Sequence, residues 1–255
     1  MSNRTRTYVI TGTASGIGLA TKQLLTSEGH RVIGVDIRDA DVIADLGAPA
    51  GRQAMIDQVT KQSGGHVDAI LAVAGVDSAG PATVAINYYG ALATLLGLRP
   101  LLLGSASPRA VAVSSITSVY THEPRLLNSL LGGTEDQAKE IARDAPYVYP
   151  TSKRALSQWI RRNAVNADWA GSGIPLNAIG PGLVKTELLS RLFEDPEKKR
   201  AITLNCPMPL GGPYEPAAAA ELLAFLSSAK NAHITGQTIF IDGGADVVIR
   251  GETTW

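Results

Sequence analysis

Sulfur is scarce in this chain, and neither sign of charge prevails. Cys206 is the one cysteine, so no intrachain disulfide forms, and a reducing, cytoplasmic setting is expected. Lysine plus arginine equals aspartate plus glutamate at 23 each, for a formal net charge of zero. The basic excess that holds proteins to nucleic acid or to anionic membranes is therefore missing. The longest uncharged stretch, residues 78–98, is interrupted by Gly80, Pro81, Asn87 and Gly90, which argues against a membrane span. The opening MSNRTRTYVITG lacks the apolar segment of a signal peptide. His30, His66, His122 and His233 show no ligand spacing, so no metal site is expected.

What the chain does have is a globular balance, 45% hydrophobic and 18% charged residues in a length of 255. Short apolar runs alternate with helix-length amphipathic ones. Strands are predicted at 7–12, 31–36, 67–73, 109–115, 174–180 and 236–242. Helices are predicted at about 16–29, where Ile17, Ala20, Leu24 and Leu25 share a face and Gly29 stops the run, and at 49–63, with Pro49 in the first turn. Further helices are expected at 87–103, 148–169 and 216–226. Strands alternating with helices imply a parallel sheet covered on both faces. The uninterrupted AILAVAG agrees, since both faces of such a strand are buried. The expectation is an α/β fold, one doubly wound Rossmann-type domain over residues 1–255. A helical insertion at about 119–146 breaks the rhythm. In it PRLLNSLLGG ends on two glycines, Thr134 and Gln137 have capping-box spacing, and Pro146 closes the next helix. The insertion is either a surface excursion or a part of the site mouth or of a subunit contact.

The first strand runs into TGTASGIG, with Gly12, Gly16 and Gly18. Free N–H groups and a helix dipole then meet at one helix start, which suits a pyrophosphate. Asp36 closes the second strand, 18 positions after Gly18. A carboxylate there accepts from ribose hydroxyls and repels a 2′-phosphate, so NAD is expected over NADP. Ser15 adds no cation to the loop, which agrees; Arg38 works against the preference. Asp39, Asp41 and Asp45 read as a charged loop. Farther on, Tyr149 and Lys153 stand one helical turn apart, whereas Tyr147 pairs with Thr151. A phenol of ordinary pKa near ~10 is a poor base at neutral pH, and a neighbouring ammonium lowers that value. The first-turn position given by Pro150 adds the helix dipole. Alone, the Tyr-x-x-x-Lys spacing is more often structural.

In order along the chain come TGTASGIG, Asp36, AVAG (72–75), Asn87, VSS (113–115), YPTSK (149–153) and IGPGLVKT (179–186). This series resembles the short-chain dehydrogenase/reductase superfamily along nearly the whole chain. The second-strand region GHRVIGVDIRDADVIADL, the insertion and the tail IDGGADVVIR are most similar to the bacterial 3α-hydroxysteroid dehydrogenase/carbonyl reductases. The resemblance implies Tyr149 as general acid/base, Lys153 as its partner and a ligand of the nicotinamide ribose, and Ser115 as the group that polarises the substrate oxygen. It implies that Asn87 holds a water in a proton relay. Without the resemblance, Ser115 reads as a strand-end hydroxyl and Asn87 as a helix N-cap. The resemblance also places NAD on Gly12, Ser15, Gly16, Ile17 and Gly18, on Asp36 and Ile37, beside Asp45 and Leu46, along Ala74 and Gly75, and against Pro181, Gly182, Val184 and Thr186.

Three departures stand out. AVAG replaces the usual Asn-Asn-Ala-Gly, removing side-chain hydrogen bonds from the central sheet. Ser118 replaces a common glycine and is expected to narrow the pocket. Tyr149 lies 34 positions after Ser115, so the insertion must loop out. The implied reaction interconverts a secondary alcohol and a ketone. Leu188 and Leu189, with Leu192, Phe193 and Met208, are expected to wall the substrate, a steroid or another bulky alicyclic ketone. Smaller terpenoid or aliphatic alcohols, and an NAD-binding sensor without turnover, are the alternatives. A homo-oligomer is expected, preferably a dimer, because the insertion precedes one of the helices that commonly pair.

Overall fold

The computed structural model describes residues 5–78 and 80–253; Met1–Arg4, part of the opening considered as a signal peptide, lie outside them. The chain begins with β1 (Thr7–Thr11), α1 (Gly16–Ser27), β2 (Arg31–Asp36), β3 (Val42–Ile43), α2 (Pro49–Ser63) and β4 (Ala69–Ala72). Next, α3 (Pro81–Val84), a π-helical turn (Ala85–Gly90), α4 (Ala91–Leu98) and a 3-10 turn (Arg99–Leu102) run on as one rod. Then come β5 (Arg109–Val113), a 3-10 turn (Ile116–Val119), α5 (Pro124–Gly132), α6 (Glu135–Ala142), α7 (Val148–Asn163) and β6 (Leu176–Pro181). The chain continues through α8 (Glu187–Phe193), α9 (Pro196–Asn205), α10 (Pro216–Ser227), β7 (Thr238–Ile241) and α11 (Ala245–Arg250).

The seven strands form one parallel sheet in the order β3-β2-β1-β4-β5-β6-β7. Successive residues of a strand point to opposite faces. In β1, Val9 enters a core with Ile33, Ile70, Leu95 and Leu156, while Tyr8 and Ile10 enter another with Leu71, Val111 and Leu223. Neither face of the inner strands β4, β5 and β6 meets water, which is why they read as unbroken apolar runs. The chain crosses from one half of the sheet to the other between β1 and β4. Beyond the carboxyl ends of those two strands the loops diverge and leave a crevice.

The structure changes several boundaries. β3 was not anticipated; its two residues only extend β2 by pairing with Val35 and Asp36. The helix after β4 starts at Pro81, six residues before Asn87, so Asn87 is not an N-cap but sits inside the π-helical turn. The helix from 148 stops at Asn163 rather than Trp169. Trp169 instead folds back edge-on to Trp159, with ring centroids 6.3 Å apart. In the insertion the capping box forms as the spacing predicts, Thr134 and Gln137 each accepting the other's backbone N–H. Here α6 ends at Ala142, short of Pro146. Leu126, Leu127 and Leu130 bury one side of α5, which lies along α7, and α6 lies against α3. Arg52 of α2 clamps the insertion by two bonds to Glu135, of 2.8 and 2.5 Å.

Two of the departures are resolved in this frame. Thr11 Oγ1 accepts from the Val73 and Ala74 N–H groups at 3.0 and 3.1 Å, so the main chain of AVAG is tied to β1 without asparagine side chains. Ser118 does not narrow the cleft; it is buried, and its carbonyl accepts from Arg154 at 3.1 Å. No helix among the described residues is long and apolar enough to cross a membrane.

Candidate active site

The glycine turn follows from its own steric limits. Gly12 and Gly16 take positive φ values of 78° and 54°, a region that disfavours side chains. A Cβ on Gly18 would lie 2.0 Å from the Gly12 carbonyl oxygen, and one on Gly12 would lie 2.9 Å from Ala74 Cα. The turn is thus folded hard against the start of α1 and the loop after β4. Ser15 is the N-cap of α1 yet makes no capping bond with its side chain. First-turn N–H groups at the positive end of the dipole remain open to a ligand.

Asp36, at the end of β2, is held by its neighbours. One carboxylate oxygen accepts from the Ala14 N–H at 2.9 Å, the other from Ile37 at 2.7 Å. Its spare lone pairs face the cleft, whose outer lip is the exposed Ile37. Asp45 accepts from the Gly47 N–H, and Asp41 from the Gly34 N–H and from Lys22. Both aspartates organise their loop. Among the described residues no group of three or more His, Cys, Asp or Glu is placed to hold a metal ion.

Across the cleft stand Pro181, Gly182, Val184 and Thr186, which follow from β6. Thr186 closes to within 3.1 Å of where a Gly16 Cβ would be. All of the residues expected to hold a cofactor line this one cleft of about 670 Å³. Its glycine cradle, uncapped helix start and fixed carboxylate fit a dinucleotide.

The far end of the cleft gathers the remaining candidates. Ser115 leaves β5 as the N-cap of the following 3-10 turn, its oxygen accepting from the Thr117 N–H at 3.1 Å. Tyr149 and Lys153 project from the first turns of α7 into the same space. Lys153 Nζ lies 5.7 Å from the centre of the Tyr149 ring and donates to Val113 O at 2.9 Å. Tyr147 is exposed, sits at the α7 N-cap with φ 55°, and takes no part. Of the four residues predicted to be catalytic, Asn87 alone stands behind the cleft wall. Its amide bonds the Val76 N–H at 2.8 Å and the Val76 carbonyl at 2.9 Å. A Cβ on Gly75 would come within 3.2 Å of both Asn87 Oδ1 and Lys153 Nζ, so the two groups flank that glycine.

The electrostatics differ from the expectation. Burial pushes the Tyr149 phenol up to about 12; the Ser115 hydroxyl pulls it down, and the Asp77 carboxylate adds to the rise. Burial also drives Lys153 down to about 8, against the attraction of Asp77. Desolvation therefore outweighs the Ser115 hydrogen bond at the phenol, and burial also disfavours the charged form of Lys153.

Of the apolar wall, Leu188, Leu189 and Leu192 line the cleft, whereas Phe193 and Met208 do not. Met208 is buried against Ile116, Cys206 and Ala245. Sequence reasoning missed Asp77, Tyr120, Ile202, Asn205 and Cys206, which also line it. Tyr120 O–H donates to Asn205 O at 2.6 Å and so ties the wall beside Ser115 to the end of α9. Only Asp77 carried a signal, as a charge two residues past Gly75 in the loop after β4.

A family model described as enoyl-(acyl carrier protein) reductase matches residues 12–246. A 3-alpha-hydroxysteroid dehydrogenase/carbonyl reductase of Comamonas testosteroni is 38% identical over 95% of this chain and 97% of that protein. A tropinone reductase homolog of Arabidopsis thaliana is 29% identical over 94% of this chain and 79% of its own length. The crystal structure of the 3-alpha-hydroxysteroid dehydrogenase from Pseudomonas sp. B-0831, complexed with NADH, superposes with a TM-score of 0.90 at 38% identity, covering 96% of this chain and 99% of that one.

Proposed function

The chain belongs to the short-chain dehydrogenase/reductase family, and from that premise we propose that it is an NAD-dependent oxidoreductase interconverting a secondary alcohol and a ketone. Its favoured substrates are 3α-hydroxysteroids or other bulky alicyclic compounds. One observation carries the reading: Ser115 and Tyr149, 34 positions apart in sequence, converge with Lys153 at the end of the cleft that holds the glycine turn and Asp36. The relatives of steroid type, similar over almost their whole length, support the substrate class.

When bound, NAD supplies the hydride acceptor and its reduced form the donor. The protein's own groups handle the proton and the geometry. Ser115 donates a hydrogen bond to the substrate oxygen and fixes it beside the Tyr149 phenol. In oxidation Tyr149 as phenolate takes the hydroxyl proton; in reduction the phenol returns it to the ketone oxygen. A phenol at about 12 is suited to donating. To accept a proton near neutrality it needs added positive charge, which Lys153 supplies when protonated. Asn87, next to Gly75 and Lys153, is the group through which a relay to solvent runs. Leu188, Leu189 and Leu192 keep the substrate end dry, which strengthens every polar contact there.

Tyr149→Phe tests this reading. Turnover should fall by at least ~100-fold, while NADH binding, followed by nicotinamide fluorescence, stays within about threefold. Substantial surviving turnover would remove Tyr149 from its role. A panel of alcohols and ketones, steroids included, with NAD and NADP, tests substrate and cofactor together.

The proposal extends to a cytoplasmic homodimer. The lone cysteine is buried, in keeping with a reducing compartment. With α5 on α7 and α6 on α3, the insertion covers much of the face through which the family commonly pairs, which favours a different or modified surface. Solution mass should be twice the chain mass of 26.7 kDa; a tetramer would count against it.

A further inference from the structure

Asp77 is the one acidic side chain at the substrate end of the cleft whose place the mechanism leaves unexplained. The loop that carries it is fixed on both sides. Asn87 binds the N–H and the carbonyl of Val76, at 2.8 and 2.9 Å. The Thr83 hydroxyl accepts from the Ser78 N–H at 3.2 Å and donates to the Ser78 carbonyl. Between these anchors Asp77 lines the same cavity as Ser115, Tyr149 and Lys153. Among the described residues no donor takes up its carboxylate.

The other charges of the cleft are committed elsewhere. Arg191 pairs with Glu187, and Arg38 lies 3.9 Å from Glu187. Lys153 is 3% exposed and bonded to Val113 O, so its charge lies deep. Asp77, by contrast, is exposed where it lines the cleft. The same cleft is lined by the apolar Leu188, Leu189, Leu192 and Ile202. A single charge in a cleft with low-dielectric walls is screened less than on an open surface. Desolvation within the cleft lifts the Asp77 carboxyl above its ordinary range and the Lys153 ammonium opposes the rise, so the two groups sense each other.

We propose that Asp77 makes the substrate end selective for positive charge: alicyclic ketones and alcohols that carry a protonated amine are favoured over neutral ones, and those that carry a carboxylate are disfavoured. The inference rests on the alcohol–ketone reading above and adds a substrate class to it. An amine on the ring meets Asp77 while the ketone oxygen lies at Ser115 and Tyr149. A carboxylate in the same place is repelled and loses its water against leucine.

The test is a matched panel of cyclohexanones, substituted with aminomethyl, hydroxymethyl or carboxylate either opposite the ketone or one carbon closer. Reduction by NADH is followed at slightly alkaline pH, where the carboxylates are ionised and the amine is charged. For the full-length protein, kcat/KM should fall from amine to alcohol to carboxylate by roughly fivefold at each step for at least one substitution pattern. Asp77→Asn should flatten the series to within about twofold, and Asp77→Glu should keep the order. A flat series in the unaltered protein, or a series that survives Asp77→Asn, would overturn the proposal. In either case turnover of the neutral ketone leaves the alcohol–ketone reading standing. Failure to reduce any ketone, steroids included, would sink both.

Discussion

Asn87 holds the Val76 peptide from both ends, accepting its N–H at 2.8 Å and donating to its carbonyl at 2.9 Å. The amide of a residue inside a π-helical turn thus fixes the loop after β4. Gly75 and Asp77, the neighbours of Val76, are fixed with it. Asn87→Ala leaves both peptide groups without partners. It should cost about 2 kcal/mol of stability and lower kcat roughly tenfold by loosening the loop beside Lys153. Asn87→Asp keeps the acceptor but not the donor and should fall between. Urea unfolding and steady-state kinetics on the three proteins check the order.

Gly18→Ala places a methyl where the Gly12 carbonyl oxygen already stands, 2.0 Å away. The turn must open before the methyl fits. NADH affinity, measured by fluorescence titration, should weaken by more than about tenfold. Unchanged affinity would show that the turn does not cradle the pyrophosphate.

Arg52 and Glu135 join α2 to the insertion through a bidentate pair, with both side chains largely buried. Lys139 also reaches Glu135, at 2.5 Å. Removing one partner leaves the other charged in a poorly hydrated place. Arg52→Met or Glu135→Leu alone should destabilise by about 2–3 kcal/mol, and the double substitution should recover much of that loss. Additive losses in denaturant melts would contradict the pairing. Arg52 and Lys139 also hold the Glu135 carboxyl below its ordinary range against the opposing effect of burial, so its stabilising share is lost as pH falls through the acid range.

Lys153 is lowered by burial from 10.5 to about 8. Between those values the unfolded chain holds a proton that the folded chain has released. Its contribution to stability therefore rises with pH across that window. Tyr149 runs the other way: raised from 10.0 to about 12, it contributes less as pH climbs above the lower value. Without cofactor, the stability of the native chain relative to Lys153→Met should thus improve from pH ~8 to pH ~10. Urea melts at several pH values read the difference directly, and a flat difference would mean that Lys153 is not desolvated.

Much of the fold was legible because its signals are redundant. β4 reads as a strand since both its faces are buried, and α2 begins at Pro49 and ends at Ser63 as the spacing implied. β3 left no trace, because two residues have no periodicity and exist as a strand only beside β2. Asn87 misled as an N-cap although Gly80, at φ 70°, and Pro81 had already marked an earlier helix start. At the site, spacing could bring Tyr149 to Lys153 but could not weigh desolvation, which depends on what else covers them. The substrate wall was half visible. On α8 the 3.6-residue turn sets Leu188, Leu189 and Leu192 toward the cleft, whereas Phe193 turns away to meet Lys199, 5.5 Å from its ring centre. Ile202 of α9 and Cys206 just past its end arrive through tertiary packing alone.

The insertion also bears on how the chain finds its fold. It separates Ser115 from Tyr149 along the chain, and a loose loop of that length would cost entropy to close. Here the segment carries its own start and stop signals: Pro124 opens α5, and the Thr134–Gln137 box opens α6. The two helices touch each other, so their contacts are short in sequence and cost little loop-closure entropy. Once formed, the hairpin carries the chain a short way back toward β5, and the Glu123 N–H meets Thr151 Oγ1 at 2.9 Å. Assembly of the reacting pair then becomes a nearly local event, and the hairpin acts as an internal guide to the order of folding.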